Sequence, residues 1–221
     1  MLKAAHKKWA RWIFNPYCTF LLKKNFSSFY RANDYPPVTQ GHPLLIVPNH
    51  ISWWDGFFID FVCRRFLNRT PYLMMLEEQL NRYWFFQKVG AYSINPHLPQ
   101  GIIEAVRYTQ DILKNPNHFV ILYPQGDIEP FEKRPLTLKR GLQLFIKETP
   151  TAQVLPVGFK IQYYNQKYPS AIVRFGESLT ALSVINDFST FENIFYGNLD
   201  MLSQAADKQS FAEDILRPHG D

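Results

Sequence analysis

A chain of 221 residues and 26.0 kDa has room for one domain with a substantial core, and not for two independent catalytic domains. Its 46% hydrophobic and 16% aromatic residues supply enough apolar surface to offset the entropy of ordering, which excludes a disordered chain. Its two cysteines, Cys18 and Cys63, fit no metal spacing or short disulfide framework, so zinc ribbons and disulfide scaffolds are excluded and a reducing compartment is suited.

The net charge of +5 is unevenly placed. Met1 to Arg31 carries seven basic residues (Lys3, Lys7, Lys8, Arg11, Lys23, Lys24 and Arg31) and no acidic one, which leaves 17 basic against 19 acidic residues in the rest. Mixed with Trp9, Trp12, Phe14, Tyr17, Phe20, Phe26, Phe29 and Tyr30, this charge has the pattern of a helix lying in a membrane interface. The plainer alternative is that the aromatics pack on the domain while the lysines stay solvated. No helix-turn-helix, zinc-finger or RNA-binding signature accompanies the charge, so nucleic acid is not the expected partner. No run of about 18 apolar residues predicts a membrane span, and Arg11, Asn15 and Pro16 interrupt what would be a signal-peptide core. The expectation is a peripheral protein on the cytoplasmic face of a membrane.

Asn15-Pro16 reads as a helix start, because Asn caps well and Pro is favoured at the first helical position. A two-helix hairpin is therefore expected over residues 1–33. Asp34 to Pro43 is loop-like, with Pro36, Pro37, Gly41 and Pro43 opposing a helix, and an α/β domain is expected over 34–221. Leu44 to Val47 predicts a buried strand and Ser52 to Phe66 the helix after it. Further short apolar runs lie at Tyr72 to Met75, Val89 to Ile94, Phe119 to Tyr123, Val154 to Phe159 and Ala171 to Phe175. Helical patterns occupy Gln100 to Leu113, Leu138 to Lys147, Asn193 to Gln204 and Gln209 to Leu216. Strands alternating with helices imply a single layered α/β domain whose mixed sheet is largely parallel.

The segment after the first domain strand, Pro48-Asn49-His50-Ile51-Ser52-Trp53-Trp54-Asp55, places a titratable pair where ligand sites collect in open α/β sheets. Asp55 is able to turn back within one helical turn and hold one imidazole nitrogen of His50. The other nitrogen is then left to take a hydroxyl proton. Ser52-x-x-Asp55 also reads as a capping box for the helix, and the two roles are compatible. His6, His42, His97, His118 and His219 have no partner at a metal or catalytic spacing, so no metal site is expected. Trp53, Trp54, Phe57, Phe58 and Phe61 surround one helix, which points to a buried helix and not a cofactor box. Gly-x-Ser-x-Gly is absent, against an α/β-hydrolase nucleophile.

Asn49-His50, four intervening residues and Asp55 resemble the first motif of the glycerolipid (lysophospholipid) acyltransferase family. Gly90 to Asn95 resembles its second motif, Tyr123-Pro124-Gln125-Gly126 its third and Val154-Leu155-Pro156-Val157-Gly158 its fourth, with Lys139-Arg140-Gly141 like the basic-Gly segment after the third. The resemblance spans Leu44 to Gly158. It implies that His50 is the general base and Asp55 its orienter, acting on an acceptor hydroxyl that attacks an acyl thioester of coenzyme A or acyl carrier protein. It requires no cofactor beyond that co-substrate. Asn49, Ser52, Asn95, Gln125, Gly126 and Asp127 are the expected substrate-binding residues, and backbone amides at the start of the Ser52 helix or around Gly126 are the candidate oxyanion donors.

Two departures matter. Where the family carries Asp-Arg at the end of the second motif this chain has Asn95-Pro96, and where the third reads Glu-Gly-Thr-Arg it has Gln125-Gly126-Asp127-Ile128. Both arginines suited to bidentate phosphate capture are missing, and Asp127 and Glu129 add negative charge. The acceptor expected is therefore less anionic than lysophosphatidate, such as a glycolipid or a lysolipid with another headgroup. Lys133, Arg134, Lys139 and Arg140 are either a replacement phosphate site or a solvated face. The alternatives to an O-acyltransferase are a silent lipid-binding scaffold of the same fold and an ester or thioester hydrolase using the same His50 base.

Overall fold

The computed structural model describes residues 1–218; His219 lies outside the described residues. The chain departs from expectation at its start. A single helix, α1 (Lys8–Asn25), replaces the two-helix hairpin and continues through Pro16. A proline inside a helix costs roughly 3 kcal/mol. Against that, α1 buries Ala10, Phe14, Cys18 and Leu22 along one seam, and each large apolar side chain buried contributes about 2 kcal/mol. Pro16 sits on the exposed side. Asn15 caps nothing: its side-chain oxygen has no partner, and the Thr19 hydroxyl donates to its carbonyl at 3.1 Å.

The elements that follow are β1 (Ser28–Arg31), β2 (Leu44–Pro48), α2 (Asp55–Phe66), β3 (Thr70–Leu76), α3 (Glu77–Arg82), α4 (Phe85–Lys88), β4 (Ala91–Ile94), α5 (Pro99–Leu113) and β5 (His118–Ile121). They are succeeded by α6 (Leu142–Ile146), β6 (Gln153–Gln162), β7 (Ser170–Phe175), β8 (Leu179–Thr180), α7 (Ala181–Asn186), α8 (Phe188–Asp207) and β9 (Glu213–Asp214). The strands form one sheet in the order β4-β3-β5-β2-β6-β7-β1-β9, with β8 on β6. The pairs β4/β3, β3/β5, β5/β2, β2/β6 and β7/β1 are parallel, whereas β6/β7, β6/β8 and β1/β9 are antiparallel. The expected mixed, largely parallel α/β architecture is thus the observed one. Because β1 lies between β7 and β9, residues 28–31 belong to the main sheet and no separate hairpin precedes it.

Burial divides the N-terminal aromatics into two sets. Phe14, Phe26 and Phe29 are core residues, with Phe29 stacked on Phe61 and set edge-on to Phe58. Tyr30 stacks on Phe211. Only Trp9, Trp12, Tyr17 and Phe20, joined by Ile13, remain exposed on the opposite side of α1. Among the described residues, no helix is long and apolar enough to cross a membrane.

The tail corrects a second expectation. Asn193 to Gln204 lies within α8, but Gln209 to Leu216 is not helical. Gln209 adopts a positive φ of 50°, which ends α8. Asp214 then accepts from the amides of Phe29, Leu216 and Arg217, which fixes the short strand β9 against β1. The helix expected over Leu138 to Lys147 is also shorter, confined to α6.

Apolar residues fill both faces of the sheet, and every residue of β2 is buried. One face is covered by α1 and α2, the other by α5, α6, α7 and α8. Cys18 and Cys63 are free and buried in the α1/α2 layer. Burial pushes the Cys18 thiol up to about 12 and that of Cys63 well above the usual range, so neither supplies a thiolate nucleophile.

His6 packs edge-on against Tyr72 with ring centroids 4.8 Å apart. Burial, helped by the nearby Arg11 and His118 charges, pushes its imidazole down to about 4. A histidine with a depressed folded-state pKa binds protons more readily when unfolded, so its stability contribution is complete above about 6.5 and is lost as pH falls towards 4. Solvent screening of this half-buried ring limits the loss to about 2 kcal/mol. Urea unfolding at pH 7 and pH 4.5 is expected to show this loss in the wild type and a smaller one in His6→Gln.

Candidate active site

Strand β2 ends at Pro48, and the next residue ties its loop to the neighbouring strand. Asn49 is fully buried: its side-chain amide donates to the Phe159 carbonyl at 2.9 Å, and its oxygen accepts from the Phe159 amide at 2.7 Å. Both polar ends are therefore engaged with β6. Asn49 does not reach a substrate, and the binding role expected for it is replaced by an anchoring one.

His50 follows, held by its own backbone. Its amide donates to Gln125 Oε1 at 2.6 Å, and its carbonyl accepts from the Glu129 amide at 2.9 Å and from Gln125 Nε2 at 3.3 Å. The ring stacks on Tyr123 with centroids 4.4 Å apart. Its Nδ1 lies 2.8 Å from Asp55 Oδ2.

Asp55, the first residue of α2, is completely buried. Oδ2 accepts from the amides of Ile51 at 2.6 Å and Ser52 at 2.9 Å, and Oδ1 accepts from the Ser52 hydroxyl at 2.7 Å. A carboxylate ringed by donors is acceptor-only, so the fourth contact must also be a donor, which places the proton on His50 Nδ1. In the neutral ring Nε2 therefore carries the lone pair, and the side chain is 24% exposed. The bonds between Asp55 and Ser52 brace the turn before α2, but the N-cap is Trp54 with no side-chain bond, so the expected capping box is not formed.

The remaining expected site residues separate into two groups. Gln125 is 1% exposed, and its amide nitrogen also donates to Glu129 Oε2 at 3.1 Å. It positions His50 from behind and presents no polar atom outward. Gly126 has a positive φ of 77°, and a side chain there would collide with Lys139, which lies over it and pairs with the exposed Asp127 at 3.4 Å. Gly126 and Asp127 therefore border the dyad's loop. Asn95 does not. It closes β4, three strands from β2, about 14 Å away at ordinary strand spacing, and its side-chain oxygen accepts from the His97 amide at 3.1 Å.

Two further expectations are narrowed. Ile51 and Ser52 direct their amides at Asp55, and the Gly126 amide donates to the Tyr123 carbonyl at 3.2 Å, so these three are not oxyanion donors and the candidates left in the two segments are the Trp53, Asp127 and Ile128 amides. Glu129 does not add charge for an acceptor to meet: it is 9% exposed and paired with Lys133, which holds its carboxyl below the usual range. Arg134 donates to the Phe131 and Lys133 carbonyls, leaving Lys139 as the basic side chain of that run that touches the loop. The residues that sequence reasoning missed are Tyr123, which backs the imidazole, and the Glu129–Lys133 pair that holds Gln125. Their only signal was the four-residue spacing of Gln125, Glu129 and Lys133, which here falls in a turn and not a helix.

Gln125→Glu places a second carboxylate against Glu129 and removes the donor to His50. Like charges in a buried site repel and raise one pKa, and the lost donor leaves an acceptor unmet. A destabilisation of about 1–3 kcal/mol is expected, with Glu129→Gln in the same chain recovering most of it; chemical denaturation of the two single variants and the double variant measures the coupling.

The acyltransferase family model matches residues 29–160. Among solved structures, the chain is similar to the 1-acyl-sn-glycerophosphate acyltransferase PlsC from Thermotoga maritima, with a TM-score of 0.61 and 14% identity over 86% of this chain and 78% of that one. No curated protein sequence matches it. The matched span runs from β1 through most of β6 and contains the whole His50–Asp55 arrangement with the Gln125 loop that holds it. On that span, more than half of its length, the chain belongs to the acyltransferase family.

Proposed function

We propose that the protein is a peripheral membrane O-acyltransferase at the cytoplasmic face, moving a fatty acyl group from an acyl thioester of coenzyme A or acyl carrier protein to a hydroxyl of a lipid acceptor. The observation that carries this reading is the partly exposed His50 imidazole, whose Nδ1 is held by Asp55, which leaves Nε2 to act as the base. As the acceptor oxygen attacks the thioester carbonyl, Nε2 takes its proton. The tetrahedral intermediate then collapses, the C–S bond breaks, and the imidazolium returns the proton to the departing thiolate. Asp55 stabilises the imidazolium without leaving its own donors.

Aromatic surface beside the dyad supports a lipid substrate. Trp53, two residues before Asp55, is more than half exposed and is packed on Trp54 and Phe57. Phe57 stacks on Phe14 of α1, and the exposed Trp9 and Trp84 meet over Phe85. The exposed Trp53 beside the dyad is thus joined through the buried Phe57 and Phe14 to the helix that carries the exposed aromatics of α1, which supports a lipid substrate approaching from that side.

The sequence at the two departures favours an acceptor headgroup less anionic than a phosphomonoester. Asn95 lies away from the dyad, and at its border Lys139 is paired with Asp127, which offsets the charge a phosphate would need. The test presents lysophosphatidate and a neutral glycolipid in matched mixed micelles. At least about tenfold higher kcat/KM on the neutral acceptor is expected, the equivalent of about 1.4 kcal/mol. Preference for lysophosphatidate would overturn the acceptor assignment.

A further inference from the structure

Away from the dyad, a cleft of about 530 Å³ opens where the start of α1 meets the second half of α2 and the starts of β3 and β5. It touches Thr70, Pro71 and Phe119, at the level of Leu44 in the sheet register. His50 lies six residues further along, so about 20 Å of strand separates the cleft from the reacting centre.

Charge is the first distinguishing feature. The lining holds five cations, Lys7, Lys8, Arg11, Arg64 and Arg69, against one carboxylate, Asp60. Asp60 pairs with both Arg11 and Arg64 and neutralises part of their charge. Arg69 donates to the carbonyls of Thr39 and His42. Lys7 and Lys8 are exposed with no acidic partner among the described residues.

The second feature is unmet hydrogen bonding. Among the described residues, Arg64 Nη2 is a buried donor of this lining with no partner, and His6 Nε2 of the same lining also lacks one. Buried donors are ordinarily satisfied, so the free arginine nitrogen calls for an acceptor such as a phosphate oxygen. The third feature is α1 itself. Its first turn begins at the cleft, with no capping side chain and no acidic residue to meet its amides or its dipole.

We infer that this cleft is an anion site, separate from the dyad, that binds a phosphate-bearing ligand between the first turn of α1 and the Lys7, Lys8 and Arg64 side chains. Charge-assisted bonds to phosphate oxygens would occupy Arg64, whose Nη2 is unpartnered, and the two lysines, and the helix amides would supply further donors. The volume exceeds that of one phosphate group, leaving room for a diphosphate or for a phosphate with its ester substituent. Both a soluble phosphate compound and the headgroup of an anionic lipid present this chemistry. A ligand here would fasten α1, whose other side carries the exposed aromatics.

The test uses the full chain and reads binding, not acyl transfer, so it is decided independently of the proposed reaction. Inorganic pyrophosphate is titrated while the His6 imidazole is followed by NMR. Saturable binding is expected, with the His6 midpoint rising from about 4 as an anion offsets the neighbouring Arg11 charge. Lys8→Gln and Arg64→Gln are each expected to weaken binding about tenfold. Because Lys8 is exposed, its variant tests the site even if Arg64→Gln folds poorly. In a second arm, vesicles of phosphatidylcholine with and without phosphatidic acid replace pyrophosphate. The same His6 response to phosphatidic acid alone would assign the ligand to a lipid headgroup. No His6 response to either probe, or binding that both variants leave unchanged, would overturn the inference.

Discussion

His50→Ala is expected to lower acyl transfer by about a hundredfold or more, the range carried by a positioned general base. The size of the effect follows from the geometry around Asp55. With Nδ1 committed to that carboxylate, the ring's one free function is the Nε2 lone pair, and alanine removes it without a substitute. The variant is also a clean one. Asp55 keeps the Ile51 and Ser52 amides and the Ser52 hydroxyl, so no buried charge is orphaned when the imidazole goes. Asp55→Asn is less informative, because an amide nitrogen placed among those donors destabilises the loop as well as the tautomer. Steady-state turnover beside a denaturation curve separates the two effects. A His50→Ala protein with wild-type turnover would remove the base assignment.

The second large effect concerns the exposed face of α1. Trp12→Ser with Phe20→Ser is expected to reduce partitioning into anionic vesicles by a factor on the order of a hundred or more, since each large aromatic withdrawn from water contributes about 1.5–3 kcal/mol. Both side chains are more than half exposed, so folding stability should change little. Lys23 and Lys24, in the last turn of the same helix, add an attraction that weakens with salt. Co-sedimentation at two salt concentrations distinguishes the aromatic contribution from the electrostatic one. Unchanged binding by the double variant would show that α1 is not the membrane-facing element.

What was legible in the sequence was local. The buried run Leu44 to Val47, the helix after it and the five-residue interval between His50 and Asp55 are all short-range, and each is found, the helix starting at Asp55 where Ser52 was expected. What was not legible depended on distant partners. Asn49 looks like a polar residue beside a catalytic histidine, yet its partner is Phe159, 110 positions away. Gln125 looks like a group facing the acceptor, yet it turns to the backbone of His50, 75 positions earlier. Pro16 carries a strong local stop signal that is overridden by the seam of Phe14, Cys18 and Leu22, whose burial is a tertiary property. Strand β9 has two residues and exists because β1 offers it an edge.

The most direct test of the central claim is transfer from radiolabelled acyl-coenzyme A, and separately acyl carrier protein, to a total polar-lipid extract, resolved by product mass. An acylated lipid formed by the wild type and absent with His50→Ala is the result predicted, and its mass identifies the acceptor. Free fatty acid without a new ester, or no product with either donor, would contradict the assignment of an O-acyltransferase acting on lipid.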